Sequence, residues 1–194
     1  MNFPNKKYSI IYADPPWEYR AWTAKDGHKS ASAHYETMKI KDICALPVAD
    51  LAAKECTLFM WATLPNLPNV FKVMAAWEFK YKTTAFTWVK VYKSGKPRIG
   101  QGYWTRANAE ICLLATRGHP RRINDKVSQV IIEPIREHSR KPDTARDRIV
   151  ELMGNLPRIE LFARDIFPGW EAWGNEVKHD GRTDPAPGEL SNWG

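Results

Sequence analysis

The chain is 194 residues long, which fits one domain of ordinary size rather than two. Apolar residues make up 43% and charged residues 26%, so wholesale disorder is excluded, and no apolar run approaches the roughly 20 residues of a membrane span. A formal charge of +7 points to a polyanionic partner, and nine tryptophans point to stacking surfaces or a large rigid core.

From the N-terminus, Tyr8–Ala13 (YSIIYA) is a continuous apolar run, as expected of a strand covered on both faces. The run ends at a charged Asp, so it does not read as a signal peptide. Lys39–Leu46 and Asn66–Trp77 carry helical spacing; in the second, Val70, Phe71, Met74 and Trp77 share a face. Between them Cys56–Trp61 (CTLFMW) reads as a second buried strand. Phe79–Lys90 alternates more loosely, as a partly exposed strand does, and Glu110–Thr116 and Val127–Glu133 are further strands. Pro142–Met153 is the clearest helix, with Pro142 in its first turn and Gly154 to stop it. Arg158–Ala163 and Trp170–Gly174 complete an alternating pattern that predicts an α/β domain. The tail from His179 is rich in Gly, Pro and Asp, and is expected to be loose at its end.

Cys44, Cys56 and Cys112 are widely spaced, with no CxxC and no nearby His. A structural zinc site needs four ligands in close pairs, so none is expected, and three reduced thiols suit a cytoplasmic protein.

Charge is segregated. Glu78–Arg106 carries seven Lys/Arg against one Glu, together with seven aromatics, whereas Asp165–Gly194 carries six acids and two bases. The first segment suits nucleic acid, through phosphate contacts and base stacking by Tyr103 and Trp104 beside Arg106. The alternative is an edge hairpin with protective lysines and core aromatics.

The informative group is Asp14-Pro15-Pro16-Trp17, at the carboxyl end of the first strand, where open α/β sheets bind ligands. The prolines fix the backbone and remove two N–H donors, leaving carbonyls to face a ligand. A carboxylate and a carbonyl beside a flat indole match an exocyclic amine on a planar base, which would donate one hydrogen to each oxygen and stack on Trp17. Drawing that nitrogen toward tetrahedral geometry frees its lone pair for in-line attack, so positioning and electrostatics supply most of the catalysis. The alternative is a rigid turn with Trp17 as a core anchor.

With these residues the chain resembles the MT-A70 family of N6-adenine methyltransferases, most closely its compact bacterial and phage branch. The resemblance runs from about Tyr8 to Val177. It rests on Asp14-Pro15-Pro16-Trp17 and, further along, on LFMW (58–61), WVK (88–90), GQGYW (100–104), EHSRKPD (137–143), ELFAR (160–164) and WGNE (173–176). It implies a Rossmann-like fold with a mostly parallel sheet, helices on both faces, and the catalytic motif ahead of the cofactor motifs. One methyltransferase domain would occupy 1–178, with 179–194 as a tail.

The resemblance also implies roles. Asp14 and Pro15 would hold the target amine, with Pro16 in the same turn and Trp17 lining the base pocket. The cofactor would be S-adenosyl-L-methionine, its amino group touched by Asp14, its carboxylate met by Lys141, and its ribose and adenine ends held by Arg164, Asn175 and Glu176. Loops 18–35 and 93–108 would gate the site. Taken alone, Lys141 has the alternative of a solvated cation, Arg164 that of a surface partner of Asp165, and Asn175 and Glu176 that of an exposed turn. His138 reads as a loop histidine. The implied reaction is methyl transfer to adenine N6 in DNA, with the same reaction on RNA or an inactive nucleic-acid-binding member as the alternatives. No membrane partner is expected, and a homodimer stays open.

Overall fold

A computed structural model describes residues 3–18, 37–100, 102, 104–136, 140–175 and 177. In chain order the elements are β1 (Tyr8–Ala13), α1 (Ile40–Cys44), β2 (Ala52–Ala62), α2 (Leu67–Ala76), β3 (Lys80–Val91), β4 (Ala109–Arg117), β5 (Val130–Pro134), α3 (Thr144–Met153), β6 (Arg158–Leu161) and β7 (Glu171–Trp173). They form a seven-stranded sheet in the order β5-β3-β4-β2-β1-β6-β7.

β1 lies inside the sheet, parallel to both β2 and β6. Its unbroken apolar run follows from that position. Ile11 and Ala13 enter the core under α1 and α2, while Ile10 and Tyr12 enter the core under α3. The indole of Trp77 ties α2 to α1 by donating to the Ile43 carbonyl at 3.0 Å.

The expected mostly parallel sheet needs one correction: it is mixed. β4 runs antiparallel to both neighbours, β2 and β3. It returns from β3 as one arm of a long hairpin rather than through a helical crossover, so its direction reverses. The other pairings are parallel, including β3 with β5 and β6 with β7. The reversal places the first residues of β4, not its last, at the carboxyl ends of β1 and β2.

β5 is an edge strand with Val130 and Ile132 exposed. Arg148 on α3 donates to the Ser128 and Val130 carbonyls at 2.8 and 2.7 Å, which blunts that edge. No described helix is long and apolar enough to cross a membrane.

Candidate active site

Asp14 is the first residue beyond β1. Its Oδ2 accepts a hydrogen bond from Lys141 Nζ at 2.7 Å, and the same ammonium lies 3.3 Å from Glu110 Oε2. The other Glu110 oxygen pairs with Lys90. Four side chains thus form a row of alternating charge from β1, the loop before α3, β4 and β3. Side-chain exposure is 29% at Asp14, 11% at Lys141, 16% at Glu110 and 23% at Lys90, so the two middle groups are the most covered and Asp14 is the most open.

Burial alone would push Glu110 up and Lys141 down. The ammonium groups of Lys141 and Lys90 instead hold Glu110 below the usual carboxylate range, and Asp14 and Glu110 raise Lys141 above the usual lysine value. Aromatic faces reinforce the cations: Lys141 Nζ lies 5.7 Å from the Trp61 ring centroid and Lys90 Nζ 5.0 Å from that of Trp88. The two indoles meet edge to face at 6.4 Å, and Trp61 donates to the Tyr12 hydroxyl at 2.5 Å.

The loop carrying Lys141 is tied down by Asp143, whose carboxylate meets Arg136, Arg146 at 2.9 Å and Arg140 at 3.5 Å. Arg146 also forms a two-pronged pair with buried Glu160, both contacts at 2.6 Å. Thus α3 begins at Thr144 rather than Pro142, and the preceding residues serve the site.

The turn after Asp14 departs from the sequence expectation. The prolyl carbonyls are not free: Pro15 accepts from Trp17 N–H at 2.8 Å and Pro16 from Met38 N–H at 2.9 Å. Each keeps one lone pair. Trp17 is only 6% exposed, packs in the core under α1 and α2, and donates Nε1–H to the Trp61 carbonyl at 3.0 Å. The indole thus pins the Asp14 turn to the end of β2.

Arg164 is partly buried, while Asp165 pairs with Arg140 at 3.5 Å. Asn175 is exposed just beyond β7. Glu176, Tyr103, His138, most of loop 18–35 and the tail from 179 lie outside the described residues. The basic-aromatic segment divides: Phe79, Phe86 and Trp88 are core, whereas Trp104 is 92% exposed and Arg106 is exposed. The loop doubles back closely at Gly100 and Gly102. A Cβ there would stand 1.8 Å from the carbonyl oxygens of Ala107 and Thr105, respectively.

Sequence reasoning missed Glu110 and Lys90. A sheet taken as mostly parallel draws attention to residues after strand ends, and Glu110 stands near the start of the one reversed strand. The usable signal was Trp88 and Lys90, two apart on one strand face. Among the described residues no cluster of His, Cys, Asp and Glu is arranged to hold a metal ion. Cys56 and Cys112 are buried, and burial pushes the Cys56 thiol up to about 12.

This α/β sheet thus carries a part-buried ion pair at the carboxyl end of an inner strand, the place where open α/β sheets bind ligands. Its family model, MT-A70, matches residues 8–176, and the chain belongs to the MT-A70 family of methyltransferases. The chain is 36% identical to the Type II methyltransferase M.MunI of a Mycoplasma species, over 96% of this chain and 85% of that protein. It is also 27% identical to an Arabidopsis thaliana N(6)-adenosine-methyltransferase MT-A70-like protein, over 88% of this chain but 24% of the relative. With the human N(6)-adenosine-methyltransferase catalytic subunit METTL3 it shares 26% identity, over 92% of this chain and 30% of that protein.

Proposed function

We propose that this protein transfers a methyl group from S-adenosyl-L-methionine to the N6 amine of adenine in DNA, as a cytoplasmic enzyme. The observation that carries the reading is the Asp14–Lys141 pair at 2.7 Å, which leaves the second Asp14 oxygen as an acceptor at the most open member of a part-buried charge row.

The donor set fits the cofactor. An amino-acid end carries one ammonium and one carboxylate, and Asp14 and Lys141 are their complements in adjacent positions. Arg164, Asn175 and Glu176 are proposed for its ribose and adenine ends. When bound, the cofactor supplies an electrophilic methyl group on a sulfonium sulfur. The protein's own part is to hold the amine. Asp14 Oδ1 and the remaining lone pair of the Pro15 carbonyl accept its two N–H groups, so the nitrogen lone pair faces the methyl. Lys141 keeps Asp14 oriented, and Glu110 keeps Lys141 charged. Trp17 fixes the turn from beneath, as its hydrogen bond to the Trp61 carbonyl supports. With the methyl supplied by the cofactor's sulfonium, which would leave as the neutral thioether, the methylated nitrogen held by Asp14 and Pro15 would release its extra proton to solvent.

Duplex DNA requires the base to be flipped out, at a few kcal/mol of unstacking. Exposed Trp104 and Arg106, with Tyr103 in the same loop, are proposed to offset this by stacking and phosphate contact. The likeness is stronger to the Type II methyltransferase than to the N(6)-adenosine relatives, which favours DNA over RNA. An intact charge row argues against an inactive scaffold.

The test is label transfer from methyl-labelled cofactor to matched DNA and RNA oligonucleotides. Transfer to DNA in excess of RNA is expected. Preferential RNA labelling would move the substrate to RNA, and none to either would overturn the reading.

A further inference from the structure

Residues 3–7 run beside the edge strand β7, away from the charge row. Glu171 of β7 anchors this arm: one oxygen pairs with Lys6 and the other accepts from the Tyr8 hydroxyl at 2.6 Å. The anchor lays the Phe3 ring flat on Trp173, with centroids 4.3 Å apart and planes 14° apart. Phe162 closes against the same indole edge-on at 5.6 Å. The Trp173 Nε1–H is buried and has no acceptor among the described residues. A covered donor left unpaired is rare in folded proteins and calls for an explanation.

The position of the pair is informative. Ala13, Leu161 and Trp173 are in register across β1, β6 and β7. Asp14, Phe162 and Gly174 are therefore the next residues along three adjacent strands. At about 4.8 Å per strand, Trp173 lies roughly 10 Å along the sheet from the Asp14 strand. An extended ligand with an amino acid at one end and a purine at the other spans that distance across the carboxyl ends of β1 and β6, where open α/β sheets bind ligands. The backbone behind Trp173 is tightly built. Ala163 N–H donates to the Trp173 carbonyl at 3.0 Å, Phe162 takes a left-handed φ of 60°, and a Cβ on Gly174 would stand 2.2 Å from the Ala163 oxygen. The indole is thus held on a rigid base, while its cover, Phe3, sits on a short arm.

Resting on the reading that this site takes S-adenosyl-L-methionine, we propose that Trp173 is the stacking platform for the cofactor's purine ring and that Phe3 is its placeholder. Phe3 lies on the indole face with the coplanar geometry a purine would adopt. On binding, the arm lifts from Glu171 and the purine takes the indole face. Phe3 and the cofactor compete for one surface, so the arm weakens binding.

The experiment is calorimetric titration of S-adenosyl-L-methionine and of adenosine into the full chain, its Phe3→Ala variant and its Trp173→Leu variant. Removing the placeholder should tighten binding of both ligands about three-fold or more, and removing the platform should weaken it roughly ten-fold. If Trp173→Leu fails to fold, indole 15N–1H spectra of the wild type and Phe3→Ala decide. One indole resonance should move on the loss of Phe3, and the same one on adding adenosine but not methionine. Tight cofactor binding with no change, or weaker binding, in Phe3→Ala overturns the placeholder and leaves the proposed function standing. Failure of the wild type to bind the cofactor overturns the proposed function itself.

Discussion

Lys141 Nζ reaches Asp14 Oδ2 at 2.7 Å across 127 residues of chain. The pair joins the end of β1 to the loop before α3, and Glu110 makes it a shared arrangement by holding Lys141 from the other side at 3.3 Å. Replacing Lys141 by Met should therefore leave Asp14 facing Glu110 without the cation between them, while Glu110 keeps Lys90. Methyl transfer should fall by about 100-fold or more, and stability by about 3 kcal/mol, as for a buried pair that loses one partner. Single-turnover rates and urea melts measure the two effects.

Glu110 acts on the reaction through Lys141, which makes it a positioning residue. Glu110→Gln keeps the shape but leaves Lys90 without its carboxylate and Lys141 with Asp14 alone. A fall in kcat larger than the rise in KM for DNA is expected, together with weaker cofactor binding. Glu110→Asp should restore part of the rate, which a purely structural role would not require.

The charge row also sets a pH dependence. Glu110 is held below its unfolded value, so its contribution to stability is complete above about pH 4 and is lost as pH falls through the folded value. Lys141 is held above its unfolded value, so its contribution is complete below about pH 10 and is lost as pH rises further. Stability of the wild type should drop more steeply than that of Glu110→Gln between roughly pH 5 and 3. Thermal melts across that range provide the comparison.

Trp17 gives a sharp distinction between anchor and stacking wall. Trp17→Phe removes the hydrogen bond to the Trp61 carbonyl and should cost about 1 kcal/mol of stability, with activity within a few-fold of wild type. Trp17→Ala opens a cavity and should cost about 3–5 kcal/mol. Activity loss in Trp17→Phe beyond its stability loss would return the indole to the base pocket.

Trp104 and Arg106 make a separable claim. Arg106→Ala should reduce the salt slope of DNA binding by about one unit, and Trp104→Ala should weaken single-strand binding by about 1–3 kcal/mol. Fluorescence anisotropy at several salt concentrations reads both.

Much of this was legible before any coordinates. β1 was bounded by its apolar run and by the charged Asp14 that ends it, and α3 by its apolar face and Gly154. Asp14 and Lys141 each stand out in the sequence, but their contact does not, because pairing across 127 residues depends on where β1 and α3 meet. Glu110 was hidden for a topological reason: only the reversal of β4 brings a strand's beginning to the site. The hold of Trp17 on the Trp61 carbonyl is not legible, because an indole that anchors a turn and one that stacks on a base look alike in sequence.

The most direct measurement is nucleoside analysis by mass spectrometry of adenine-containing DNA treated with the wild type or with Asp14→Asn, each with S-adenosyl-L-methionine. N6-methyldeoxyadenosine from the wild type, reduced at least about 100-fold in the folded variant, is the expected result. Equal yields from the two proteins would contradict the role of Asp14 and the account built on it.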